Sequence, residues 1–205
     1  GLLIMEMSNC LIDAAHKVFE NIVPNIEISN FLLVLPSKQQ LLYIEKKNIV
    51  STYDISTSKY GLGNQNESFQ TPTGLHYIAK KIGHNMPRLT IFKGRKPLPG
   101  NLTLIDFEKK NNEELRKHHF KEFDDVITSR ILWLKGHEIG INKGGDVDTY
   151  DRYVYIHGTN HEDRLGSPSS SGCLQLGNQD VLEVFERIPE GAHLYVSLNG
   201  ERPRS

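Results

Sequence analysis

The chain has 205 residues, 38% of them hydrophobic and 8% aromatic, enough for one well-cored domain with a short added element. Its 24 basic and 25 acidic residues leave a net charge of -1, which argues against a nucleic-acid binder and against a solvated charged tail. Two cysteines, Cys10 and Cys173, make no disulfide framework, and no apolar run reaches the ~18 residues needed to span a bilayer.

The opening GLLIMEM lacks the basic flank of a signal peptide. Next, SNCLIDAAHKVFENIV carries Leu11, Ala14, Ala15, Val18, Phe19 and Ile22 at helical spacing. Ser8 or Asn9 is the expected cap and Pro24 the stop. FLLVLP, QLLYIEK and NIVSTYDIS then read as strands, with SKQQ and KKN as hairpin turns. KYGLGNQNESFQTPTG is a polar, glycine-containing loop, and LHYIAKKIG and LTIFKGR read as strands. Residues 97–125 are highly charged and partly helical, so they are expected to form a surface excursion.

ITSRILWLKG and RYVYIHG are rich in β-branched and aromatic residues and read as strong strands. NQDVLEVFERI reads as a short helix capped by Asn178, with Val181, Leu182, Phe185 and Ile188 on one face. AHLYVSL closes the fold as a strand. The expectation is a mainly β protein, a β-sandwich or barrel-like sheet pair with a few short helices and an N-terminal helix. The division is a helical extension over 1–25 and a main domain over 26–200.

The chemistry concentrates in YIHGTNHEDRLGSPSSSGCLQL, Tyr155 to Leu176. Strand alternation puts Val154 and Ile156 on one face and Tyr153, Tyr155 and His157 on the other. Gly172 permits unusual dihedrals just ahead of Cys173. The helix expected near Asn178 would turn its amide N–H groups toward a thiolate or an oxyanion. Fifteen residues separate His157 from Cys173, enough for a loop to bring imidazole and thiol together as base and nucleophile. The plain alternative is that Cys173 is a buried small residue.

The segment HGTNHEDRLGSPSSSGC resembles the active-site signature of the L,D-transpeptidase catalytic-domain family (YkuD type). TPTG at 71–74, containing Thr73, resembles the family's upstream motif, and SRILWLKG and VDTYDRYVYIHGTN resemble the strands leading to its histidine. The resemblance covers roughly residues 27–198 and implies a cysteine enzyme of peptidoglycan. Cys173 would attack the carbonyl of the L-centre of the third stem residue, a D-amino acid would leave, and a thioester would pass to an amine or to water. His157 would be the base, oriented by a backbone carbonyl near Gly158, with the N–H groups of Gly172 and Cys173 as the oxyanion site. Ser171, Gln175, Tyr155, Arg152, Arg164 and Thr73 are the candidate substrate-binding residues. The implied location is the periplasm or cell envelope, with peptidoglycan stem peptides as partner and no cofactor. Ser171 stands where the family has His, and Gln175 where it has Arg, which points to altered rate or substrate choice.

Other residues have ordinary readings. His157 and His161 are four apart, but Gly, Thr and Asn between them oppose a helical zinc pair. His118 and His119 sit in a charged, solvated stretch, Trp133 belongs to the core, and Cys10 lies on a helix face. Arg130, Arg152 and Arg164 flank the motif, and KGRK at 93–96 is too short for nucleic-acid binding. Two rivals to the transpeptidase remain: an L,D-carboxypeptidase, and a peptidoglycan-binding pseudoenzyme.

Overall fold

The structure, a computed structural model, describes residues 2–109, 117 and 125–198. In chain order it comprises α1 (Leu2–Ile22), β1 (Asn30–Leu35), β2 (Gln40–Glu45), β3 (Asn48–Ser56), β4 (Gly74–Ile82), β5 (Ile91–Lys93) and β6 (Lys96–Pro97). There follow α2 (Leu104–Lys109), β7 (Ile127–Gly136), β8 (Tyr155–Thr159), β9 (Leu174–Leu176), α3 (Asn178–Arg187) and β10 (His193–Val196). His118, His119 and residues 110–116 and 118–124 of the expected excursion lie outside the described residues.

The strands form one sheet in the order β4-β10-β1-β2-β3-β9-β8-β7-β5-β6, and an added β4–β7 pairing closes it on itself. Only β1–β10 and β8–β9 run parallel; the other neighbours are antiparallel. The interior holds Leu32, Val34, Leu132, Leu134, Val154, Ile156, Leu174, Leu176 and Leu194, joined by Val181, Val184, Phe185 and Ile188 of α3. On the outer face α1 packs Ile12, Ala15 and Phe19 over Phe31, Leu33, Leu42 and Ile44. A second outer cluster gathers Phe92, Ile131, Trp133 and Tyr155. Strands β7 and β8 are therefore covered on both faces, which explains their unbroken apolar sequence.

Several expectations shift. α1 begins at Leu2, so Ser8 and Asn9 lie inside it; LLIMEM extends the helix-forming run. The KKN turn is a two-residue hairpin with Lys46 and Lys47 at φ 48° and 68°. β8 starts at Tyr155, because Tyr153 adopts φ 57° and is exposed. Leu182 is only partly buried; Val184 takes its place on the inner face of α3.

Asn178 does not cap α3: Gly177 is the cap, and no cap side chain bonds there. Instead Glu162 Oε1 accepts the Asn178 N–H at 2.6 Å. The Asn178 side chain turns inward, where its Oδ1 accepts from the hydroxyls of Thr128 (2.6 Å) and Ser129 (2.7 Å). Its Nδ2 donates to Thr159 O and Glu162 Oε1. A buried amide is stable only when its donors and acceptors are matched, and here the matching groups lie across the fold. The irregular register of β7 between Thr128 and Ile131, with Ser129 at φ 69°, brings both hydroxyls to the same oxygen.

Candidate active site

The site lies on the outer face of two parallel neighbours, β8 and β9. Pairing sets Ile156 beside Leu174 and His157 beside Gln175. Since side chains alternate, Ile156, Leu174 and Leu176 enter the interior while Tyr155, His157, Cys173 and Gln175 face outward. The sequence reading missed β9, as it missed the two-residue β6. β9 is three residues long, too short for a periodic signal.

β9 also changes the expected setting of the thiol. It separates Cys173 from α3, so the helix N-terminus does not adjoin the sulfur. Cys173 packs against the Trp133–Tyr155 cluster. Its Sγ accepts the Tyr155 N–H at 3.4 Å and lies 3.7 Å from Tyr153 O. Burial pushes the thiol up to about 11, opposed by the Tyr155 N–H and the charge of Arg152. The resting form is therefore the neutral thiol.

His157 is buried, and burial lowers its pKa, partly offset by the Gly158 carbonyl and Asp125. Nδ1 stands 2.6 Å from Gly158 O. A carbonyl can only accept, so Nδ1 carries the proton and Nε2 is the basic nitrogen. Gly158 itself is required by space: a Cβ there would meet Thr128 O at 2.6 Å and Asn178 Oδ1 at 2.8 Å.

Cys173 and Ser171 border two grooves. One, of about 220 Å³, includes Glu67, Phe69, Arg152, Tyr153 and Gly172. The other, of about 160 Å³, includes Asp125, Ile127, His157, Ser170 and Gln175. Another cavity, of about 430 Å³, lies elsewhere, between α1 and the β2–β3 turn. It holds none of the candidate site residues.

Gly172 has φ 127°, which an L side chain rarely adopts. Its carbonyl accepts from Thr71 Oγ1 at 2.9 Å, and its N–H donates to Ser170 Oγ at 3.2 Å. Ser170 Oγ in turn donates to Cys173 O at 2.6 Å. Thr71 and Ser170 are thus the residues that hold the cysteine turn, and the sequence singled out neither. Both are fully buried, but TPT and SSS offer no way to tell which member faces inward.

Thr73 lies apart from both grooves, with its N–H 2.7 Å and its hydroxyl 3.3 Å from Asn64 Oδ1. Arg164 reaches Asp125 at 3.2 Å on the rim of the His157 groove. Tyr155 turns its hydroxyl to Arg95 Nη1 at 3.3 Å. Arg130 is buried elsewhere, donating to Ser129 O and Met86 O. His161 pairs with Asp125 at 3.4 Å, and among the described residues no group of three or more His, Cys, Asp or Glu forms a metal cluster.

The model of the L,D-transpeptidase catalytic domain, YkuD, matches residues 29–196. Over 55 residues the chain is 36% identical to YqjB of Bacillus subtilis, a stretch that is 26% of this chain and 31% of that protein. Over 61 residues it is 33% identical to YkuD of Bacillus licheniformis, 27% of this chain and 37% of that one. Both relatives are assigned to the L,D-transpeptidases, and the match spans about a third of each. A solved L,D-transpeptidase of Xylanimonas cellulosilytica aligns over 85% of this chain and 63% of its own, with 14% identity and TM-score 0.48. One from Mycobacterium smegmatis aligns over 82% and 58%, with 14% identity and TM-score 0.45. The match over residues 29–196 covers most of the chain, which therefore belongs to the L,D-transpeptidase catalytic-domain family.

Proposed function

We propose that the protein is a cysteine-dependent L,D-transpeptidase acting on peptidoglycan tetrapeptide stems through a thioester. The observation that carries this reading is the shared groove of His157 and Cys173, in which His157 Nδ1 is held on Gly158 O and Nε2 is left basic. Cys173 Sγ attacks the carbonyl carbon of the third stem residue as Nε2 of His157 takes the thiol proton. The oxyanion is held by the N–H groups of Gly172 and Cys173, the former exchanging its 3.2 Å contact with Ser170. The C–N bond then breaks, and the proton on Nε2 goes to the departing D-amino acid. An acceptor amine attacks the thioester, His157 removes its proton, and the sulfur leaves as the thiol.

A neutral thiol beside a neutral imidazole suits this general-base route, in which charge develops only during attack. Two grooves meeting at Cys173 favour transfer to a second substrate over hydrolysis, since donor and acceptor each need an approach to the sulfur. Ser171 faces both grooves and Gln175 faces one, so both are placed to choose substrates. We assign residues 26–200 to the catalytic domain and 1–25 to an extension over its outer face. Action on peptidoglycan places the enzyme in the cell envelope; no described helix is long and apolar enough to cross a membrane.

Mass spectrometry of muropeptides incubated with the protein tests the proposal. Cross-linked dimers with release of D-alanine are expected. Tripeptide stems alone identify a carboxypeptidase, and unchanged stems together with no carbapenem adduct identify a binding protein.

A further inference from the structure

Arg152 has no partner role in the chemistry above, yet it is tied into the site from two directions. Its Nη2 donates to Gln70 O at 2.7 Å and Ser68 Oγ at 3.3 Å, and its Nη1 to Gly63 O at 3.3 Å. These acceptors belong to the loop between β3 and β4, whose Glu67 and Phe69 wall the larger groove beside Cys173. Both wall residues hold left-handed backbones, at φ 61° and 57°. Such conformations are unfavourable for non-glycine residues and persist only where the surroundings impose them. The Arg152 fork supplies three of those restraints. With both terminal nitrogens turned into the protein, the guanidinium does not present its fork to a substrate carboxylate.

The second direction is electrostatic. β9 keeps the α3 N-terminus away from the sulfur, and burial disfavours a thiolate. Among the described residues, Arg152 alone of the lysines and arginines lines a groove at Cys173; Arg164 meets the smaller groove only through its pair with Asp125.

We propose that Arg152 is a positioning residue for Cys173: its fork fixes the 63–70 wall of the groove, and its charge supplies the cation that stabilises the thiolate in place of a helix terminus. The inference rests on Cys173 being the nucleophile. It does not depend on the acyl acceptor or the stem substrate.

The test uses the full chain with Cys10→Ser, because Cys10 is exposed and would also react. Iodoacetamide alkylation of Cys173 is followed by intact mass across the thiol titration. Arg152→Gln is expected to move the profile up by about one pH unit, slowing alkylation about tenfold below the midpoint. Arg152→Lys keeps the charge and is expected to leave the profile near the parent's, while amide exchange over residues 63–70 accelerates because the fork is lost. A Gln profile that superimposes on the parent's overturns the electrostatic role. Unchanged exchange at 63–70 in the Lys variant, with only KM raised for carboxylate-bearing substrates, overturns the positioning role. If Arg152→Gln does not fold, the exchange result with Lys decides alone. Alkylation needs no stem peptide, so a parent that alkylates normally but transfers nothing from muropeptides would sink the proposed function and leave this inference standing.

Discussion

His157 Nδ1 lies 2.6 Å from the carbonyl oxygen of Gly158, its own neighbour in the chain, and that contact fixes the imidazole tautomer. The basic nitrogen is therefore Nε2. His157→Gln should cut carbapenem acylation by about 10²-fold or more, as loss of a general base does. Stopped-flow fluorescence measures it, and an unchanged rate would put the base elsewhere.

Cys173→Ala should remove the carbapenem adduct found by peptide mapping, leaving at most labelling of the exposed Cys10. The melting temperature should stay within a few degrees, since only a partly buried sulfur at the edge of the Trp133–Tyr155 cluster is lost. Continued D-alanine release from tetrapeptide stems would show that the nucleophile is misassigned.

Gly158→Ala places a Cβ against Thr128 O and Asn178 Oδ1, at 2.6 and 2.8 Å. Neither neighbour can yield freely: one is backbone, and the other holds two buried hydroxyls. A loss of about 1–3 kcal/mol in urea denaturation is expected, together with slower acylation, because the same residue carries the carbonyl on His157. Native stability in the variant would mean that the network relaxes without cost.

Acid should destabilise the fold through histidines that stay neutral when folded. His76 is fully buried between Gly74 O (3.1 Å) and Thr149 Oγ1 (2.8 Å), and burial pushes its pKa from 6.5 down to about 4. The unfolded chain binds this proton first as pH falls. The contribution is thus complete above about pH 6.5 and is lost as pH drops toward about 4. His137, also lowered to about 4 by burial and by its stacking partner His193, acts in the same direction. His76→Gln should flatten the stability slope between those limits by up to about 1.4 kcal/mol per pH unit. Parallel slopes for variant and parent would show that His76 titrates normally in the folded state.

Local pattern carried far in this chain. β3 and β7 span the residues expected of them because β-branched and aromatic residues alternate or run without a break there. The pair Cys173 and His157 was legible from its motif, and strand alternation alone put Tyr155 and His157 on one face and Val154 and Ile156 on the other. Alternation is a property of each strand's own backbone, so no partner is needed to read it. What surrounds the pair was not legible. β9 exists because β3 and β8 hold it on either side, and three residues carry no period of their own. The inward turn of Asn178 depends on hydroxyls about fifty positions away, and Asn is an equally good helix cap until those partners are in place. The choice of Thr71 over Thr73, and of Ser170 over its serine neighbours, was likewise made by contacts between distant segments. The same holds for the identity of Arg152's partners. Sequence determined which side chains could do the chemistry; closure of the sheet decided which groups hold them, because hydrogen-bond partners across a closed barrel are set by register and not by sequence separation.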